Sequence, residues 1–380
     1  FEDYKRMADW VLVNGVNFIN QHLTYSTIMG ARKHDHPQSF DWRESWWKEY
    51  TGMNDYIGRV SYMLTRGKME QRILVLNPAL TGYTIEQTKA SGDMFGNGNL
   101  NCISNPDMTG FLTLTQTLTD LQWDYDLGDE YTLARHACVR DGALEVVKQR
   151  YRCVIVSGDM QNMLSSTAEL LKACEQAGIK VIALGTPGPL VDGLAAPETY
   201  AELASGWTQT DLAQLDTLLG EWLPRRISAS VPFPAGFDHM RRKLEDGSEV
   251  WFFVNHAMEP YSAELHLHGR SAQVMNLFTG EVSPAVFTER DGVLSVPVEL
   301  ARNQSLMLLI SDEAGESAQS VQKIAGQALA LHLRDIVQES ENCFPISYAD
   351  YAEEKNAYVK TLCDRIFRER GFDGNPWDNK

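Results

Sequence analysis

Cys153-Val154-Ile155-Val156-Ser157-Gly158 is a short apolar run closed by two small residues, and Val181-Ile182-Ala183-Leu184-Gly185 repeats the design after a gap. Neither run alternates apolar with polar residues. That pattern belongs to a strand covered on both faces. The gap holds Ser165 to Ala177, an amphipathic helix, with Ser165 or Ser166 expected as its N-cap and Gly178 at its end. Two buried strands joined through a helix lie parallel, because only a crossover connection returns the chain to the same edge.

Working outward, Arg72-Ile73-Leu74-Val75-Leu76-Asn77-Pro78 supplies a further buried strand. Residues 71–222 therefore read as a doubly wound α/β domain. The order strand, helix, strand, then Gly185-Thr186-Pro187-Gly188-Pro189 resembles a flavodoxin-like layer.

Beyond Arg225 the pattern changes. The segments 249–255, 263–268, 272–277 and 305–310 read as strands separated by turn signals such as Glu245-Asp246-Gly247 and Asp291-Gly292. This spacing predicts an antiparallel β-sandwich over 223–312. Asp312 to Ser320 reads as a linker, and 313–380 as that linker and the start of a further domain with a helix over Ala325 to Val337.

On the amino-terminal side, Tyr4 to Asn14 carries Met7, Trp10, Val11 and Val13 in a helical stripe, and Gly15 ends it. Val16 to Leu23 reads as a short strand. A loop crowded with His, Asp and Trp follows, and Asn54 to Arg66 is again helical, closed by Gly67. Residues 1–70 thus read as the carboxyl-terminal part of a (β/α)8 barrel, which cannot bury its apolar faces alone.

Composition excludes more than it selects. A formal net charge of -17 with no visible basic face argues against a nucleic-acid partner. No apolar run approaches the length of a membrane span, so no membrane partner is expected. There is no secretory signal pattern, although the chain begins at Phe1, so a signal could lie outside it. The six cysteines form no close metal-binding pairs and read as free, buried thiols. That favours a reducing compartment, hence cytoplasm over periplasm.

Motifs for cofactors are lacking. Gly185 to Pro189 has neither the phosphate-loop Lys nor the dinucleotide glycine spacing. Ser157-Gly158 is not a nucleophile elbow. Asp124-Tyr125-Asp126 lacks the Gly and final Glu of a calcium loop. No cofactor or protein-metal site is expected, with a divalent ion such as calcium left as an open alternative.

The candidate binding residues gather around the aromatic loop. His22 at a strand end, with Tyr25 beyond it, suits a sugar hydroxyl; the competing role is a core hydrogen bond. Asp35 and His36 either reach the ligand or belong to a solvated loop. Trp42 and Trp47 offer flat faces for sugar C–H groups, or pack between helices, as does Trp46. Glu44 and Glu49 suit surface pairing better than catalysis. Asp124 and Asp126, with Glu130, form an acidic cluster at the entry to a helix, where capping competes with sugar binding.

Several dispersed segments carry a family resemblance. They are Lys5 to Asp9 with Gly15-Val16-Asn17 and His22; Trp46-Trp47 with Tyr56-Ile57-Gly58-Arg59 and Gly67; Gln122 to Leu127 with Glu130; Arg241-Arg242, Val254-Asn255 and Phe278-Thr279-Gly280; and Phe372 to Trp377. Together with the domain order, these resemble large bacterial glycoside hydrolases of the α-L-rhamnosidase-like type, family 106 and its relatives. The resemblance implies a glycosidase, a (β/α)8 catalytic barrel with β-sandwich appendages, and a carbohydrate substrate in plant or microbial glycans. It also implies that the catalytic carboxylates lie mainly on barrel strands upstream of Phe1. The chain is then the carboxyl-side portion of a larger enzyme, partnered by its amino-terminal part or by copies of itself. Two other readings stay open: a non-catalytic carbohydrate-binding or scaffold fragment, and a flavodoxin-like module for a small molecule.

Overall fold

A computed structural model of the chain describes residues 2–21, 24–27, 41–42, 44, 46–83, 109–185, 188 and 190–319. Two compact units divide it: residues 1–17 with 56–320, and residues 18–55 with 321–380.

The larger unit contains a five-stranded parallel sheet built from Ile73–Leu76, Tyr125–Gly128, Cys153–Ser157, Lys180–Leu184 and Thr208–Thr210. Counted in chain order, the strands lie 2-1-3-4-5, each neighbour parallel. This is the doubly wound order of flavodoxin-like sheets. The apolar runs explain why. Ile73, Val75, Cys153, Ile155 and Ile182 face one way, onto Leu114 and Leu118 of the helix Thr109–Asp120 and Leu215 and Leu219 of the helix Leu212–Trp222. Leu74, Leu76, Val154, Val156, Val181 and Ala183 face the other way, onto Leu171 and Cys174 of the helix Ser165–Gln176 and Leu203 of the helix Pro197–Ala204. Alternate side chains thus need two apolar covers, and the helices supply them.

Two antiparallel sheets follow. One orders Phe237–Lys243, Glu249–Asn255, Ser305–Ser311, Ser271–Met275 and Val282–Pro284; the other orders Ile227–Ala229, Tyr261–His268, Val293–Leu300 and Thr288–Arg290. They share one core, in which Phe237, Trp251, Phe253 and Leu308 meet Leu265, Leu267, Leu294 and Val296. Val293–Leu300 alternates buried with more exposed positions, as a strand with one wet face does. A smaller antiparallel sheet, Ala137–Arg140, Ala143–Val146 and Gln149–Tyr151, leads into the central parallel strand.

The first helix spans Glu2–Val13 and touches the strands Phe237–Lys243 and Glu249–Asn255. The second spans Tyr50–Thr65 and ends at Gly67, whose φ is +56°. Lys68 and Lys243 then exchange backbone hydrogen bonds of 2.9 Å each. A Cβ at position 67 would collide with the Lys243 carbonyl, so glycine is required both by dihedral and by space.

Several expectations change. The strand expected over 16–23 does not form among its described residues: 16–21 carry no strand pairing, and Phe18 is exposed. A strand is stabilised by the ladder of a neighbour, and no neighbour pairs with this segment among the described residues. The helix Ser165–Gln176 starts one residue earlier than a serine cap would place it. Leu164 occupies the cap position without a side-chain bond. The free amides are held from elsewhere: Glu130 accepts from the Leu164 N–H at 2.7 Å, and Asp192 accepts from the Ser165 N–H at 2.9 Å. Cys153 and Cys174 are free and buried, whereas Cys138 is free and exposed. Burial pushes the Cys153 thiol up to about 12, which keeps it unreactive. No helix among the described residues is long and apolar enough to cross a membrane. The helix expected over Ala325 to Val337 lies outside the described residues.

Candidate functional site

Within the smaller unit, the aromatic loop is described in part. Trp42 is 70% exposed and Trp47 40% exposed. A short 3-10 turn, Trp47–Glu49, leads into the second helix and brings Trp47 over Tyr50. The two rings stack with centroids 5.6 Å apart and 25° between their planes. Trp46 meets the same Tyr50 edge-on at 5.6 Å and 64°. Trp47 is therefore stacked on its own chain while 40% of its surface remains open to solvent. That geometry suits stacking on a sugar ring. Tyr25 is half-buried in the same unit. Beside it in sequence, Thr24 donates 3.1 Å to the buried carboxylate of Asp41. His22, Asp35 and His36 lie outside the described residues.

The acidic cluster of the sequence separates into distinct tasks in the larger unit. Asp126 is on the strand Tyr125–Gly128 and Asp124 just precedes it, so neither sits on a helix entry. Asp126 accepts from the Tyr151 hydroxyl at 2.8 Å. Glu130 receives the Leu164 amide, and Asp129 caps its own helix by accepting from the Thr132 N–H at 2.8 Å. Asp124 lies 3.2 Å from Nε2 of His239. Burial alone would raise its carboxyl, but His239, Arg241 and Arg226 outweigh that and hold it below the usual carboxylate range. Asp124 also lies at the amino end of the sheet, whereas doubly wound sheets bind ligands at the carboxyl ends of their strands.

Asp124 belongs to a charged cluster that the sequence did not reveal. Arg241 donates from Nε to Oε2 of Glu249 at 2.9 Å and bonds its other oxygen through Nη2. Trp251 Nε1 donates to the same Glu249 at 2.9 Å. Glu70 lies 3.4 Å from Arg241 and 3.8 Å from Arg226. The members are scattered over 180 residues, so no local spacing marks them. A second buried cluster joins Lys5, Asp9, Tyr56 and Ser305. Lys5 Nζ donates to Asp9 at 2.5 Å, to the Asn303 carbonyl at 3.0 Å and to Ser305 at 3.0 Å, and Tyr56 donates to Asp9 at 2.7 Å. Burial raises the Asp9 carboxyl against the pull of Lys5, Tyr56 and Ser305. All three Lys5 donors are used, so the cluster ties two helices to a strand rather than holding a reactive group.

The carboxyl edge of the parallel sheet offers a third place. Its switch point lies between Ile73–Leu76 and Cys153–Ser157, beside Ser157, Gly158 and Asp159. The helix Thr109–Asp120 presents its first-turn amides there. The Asp159 carboxylate accepts from the Phe111 N–H, so the anion position at that helix start is taken by the chain itself. Among the described residues, no group of three or more His, Cys, Asp or Glu is placed to hold a metal ion.

No family model matches the chain, and no curated protein sequence matches it. Among solved structures, it is similar to a rhamnosidase from Novosphingobium sp. PP1Y, with a TM-score of 0.62 at 18% identity, over 87% of this chain and 31% of that one. The chain therefore spans under a third of that rhamnosidase and shares its fold. Two weaker likenesses are to an exo-carrageenase GH42 from Bacteroides ovatus, TM-score 0.41 at 12% identity over 68% of this chain and 31% of that one, and to α-L-fucosidase isoenzyme 2 from Paenibacillus thiaminolyticus, TM-score 0.37 at 10% identity over 67% and 52%. All three neighbours are glycoside hydrolases.

Proposed function

We propose that the chain is part of a glycoside hydrolase of the α-L-rhamnosidase-like type, family 106 and its relatives, acting on plant or microbial glycans. The observation that carries this reading is the shared fold with a rhamnosidase over 87% of the chain. In this reading residues 1–70 contribute to the carboxyl side of a (β/α)8 barrel, 71–222 form a flavodoxin-like domain and 223–312 a β-sandwich. The exposed rings of Trp42 and Trp47 support a sugar-facing loop, with Tyr25, His22, Asp35 and His36 as its further members. Asp124 and Asp126 are assigned structural roles, since each is engaged by a buried partner.

Glycoside hydrolysis needs two carboxyl groups across the scissile bond. The reading gives neither role to a carboxylate of residues 1–380 and assigns both to barrel strands elsewhere in the protein. The rival small-molecule reading of the flavodoxin-like sheet is disfavoured by Asp159, which already occupies the helix start at the switch point.

The test compares the product of the complete gene with the 380-residue chain on aryl α-L-rhamnosides and other aryl glycosides. The complete product should turn over, and the chain alone should not. Robust turnover by the chain, abolished by one carboxylate substitution within it, would overturn the placement of the catalytic pair. A complete product inert on every aryl glycoside would overturn the glycosidase reading.

A further inference from the structure

A groove of about 670 Å³ opens at the amino ends of the parallel strands, on the edge opposite the switch point. Its charge is the reverse of the chain's. Arg72, Arg152 and Lys180 stand just before or at the start of three adjacent strands, and Lys148 and Arg150 reach in from the small antiparallel sheet. Lys68 and Arg226 complete the rim. Glu70 is the only carboxylate among the described lining residues, and it faces Arg241 and Arg226. Seven cations against one acid is a marked local excess in a chain of net charge -17.

The bland account is that these cations are held by carbonyls and acids of the chain itself. It holds for Arg152, which donates 3.1 Å to the Gly142 carbonyl in a turn of the small antiparallel sheet. Arg150 is drawn toward Glu145 at 3.4 Å. It does not account for Arg72, Lys148 and Lys68. Their side chains have no ion pair or hydrogen bond among the described residues. Arg72 is also half-buried, within reach of Arg226, where burial and then the charges of Arg241 and Arg72 depress the Arg226 guanidinium. Like charges held together at partial burial are costly, and an anion between them relieves the cost.

The groove also carries an aromatic surface. Trp222 lines it, and Lys180 Nζ sits 5.2 Å from the ring centroid. A flat ring beside fixed cations matches a sugar ring that carries an acidic group. The volume falls in the range of small-ligand sites, roughly 300–1,000 Å³. We propose that this groove binds an anionic oligosaccharide, one bearing carboxylate or sulfate groups, with Arg72, Lys148 and Lys68 on the acidic groups and Trp222 against a sugar face. That the anion is carried by a saccharide rests on the glycosidase reading. That the ligand is an anion rests on the groove alone.

The test titrates the 380-residue chain by calorimetry with trigalacturonate, a chondroitin-4-sulfate tetrasaccharide, neutral maltotriose, inorganic pyrophosphate and a short single-stranded oligonucleotide. At least one acidic saccharide should bind, and maltotriose should not. Binding should weaken as NaCl rises from about 25 to about 200 mM. Arg72→Gln and, on the exposed rim, Lys148→Glu should each weaken it about tenfold, which is roughly 1.4 kcal/mol. Arg302→Glu, an exposed cation outside the groove, should leave it unchanged. Equal binding of maltotriose, equal loss in Arg302→Glu, or no binding of either acidic saccharide would overturn the proposal. Tighter binding of pyrophosphate or the oligonucleotide than of both acidic saccharides would overturn the saccharide assignment. Aryl-glycoside hydrolysis by the complete gene product is measured separately, so an active enzyme with an empty groove and an anion-binding chain from an inactive protein are told apart.

Discussion

Arg241 and Glu249 stand diagonally across adjacent antiparallel strands, joined at 2.9 Å through Nε, with the Arg241 side chain 2% exposed. The pair is two-pronged, and Trp251 Nε1 and Glu70 add further contacts to it. A guanidinium so enclosed is stabilised only while its acids remain.

Replacing Arg241 by Leu should therefore destabilise the chain by about 2–4 kcal/mol, because the half-buried Glu249 loses its two-pronged partner and keeps only the more distant Arg226. Arg241→Lys should recover little of this, since an ammonium cannot bridge both carboxylate oxygens. Urea denaturation midpoints measure both. A loss below about 1 kcal/mol in Arg241→Leu would show the pair to be dispensable.

Asp238 gives the pH dependence a definite sign. Burial, reinforced by Asp120, raises its carboxyl to about 6, against a smaller opposing pull from His239. Its folded value lies above its unfolded one, so its contribution favours folding at low pH and is lost as pH rises from about 4 through about 6. Asp238→Asn should thus be more stable than the parent above pH ~7, by roughly 1–3 kcal/mol, with the gap closing toward pH ~4. Melting curves across that range would show it. A gap that widens at low pH would contradict the sign.

Trp42→Ala and Trp47→Ala address the sugar-facing loop. Trp42 is largely open, so its loss should change stability by no more than about 0.5 kcal/mol. Trp47 also stacks on Tyr50, so a loss of about 1 kcal/mol is expected there. In the complete gene product both should raise KM for an aryl glycoside by about tenfold, as loss of one stacked face predicts. Unchanged kinetics with a large fall in melting temperature would make the rings structural.

Gly67→Ala tests the join after the second helix. The left-handed φ and the Lys243 carbonyl both oppose a side chain, so the cost should be roughly 2 kcal/mol or more. Gly52→Ala is the contrast. It lies in the helix Tyr50–Thr65 with open space around its Cβ position, and it should stabilise by about 0.5–1 kcal/mol. Thermal unfolding of the two variants should move in opposite directions.

Local chemistry was legible in the sequence wherever a segment's own pattern was sufficient. The runs 73–76, 153–157 and 181–184 are apolar on both faces, which calls for covered strands, and the helix between the last two calls for a parallel pairing. Gly15, Gly67 and Gly178 end helices because each takes a positive φ that other residues avoid. Tertiary structure decided what depends on distant partners. The Ser165–Gln176 helix is capped by Glu130 and Asp192 rather than by its own serine, and the segment 16–21 stays unpaired because a strand needs a neighbour's ladder. Asp124, His239, Arg241, Glu249 and Glu70 become one charged cluster only when two sheets meet, and Arg72, Lys148, Arg152 and Lys180 become one basic groove only when the strands align. Coulomb interactions and burial depend on separation in space, and chain position does not encode that separation until the fold has closed.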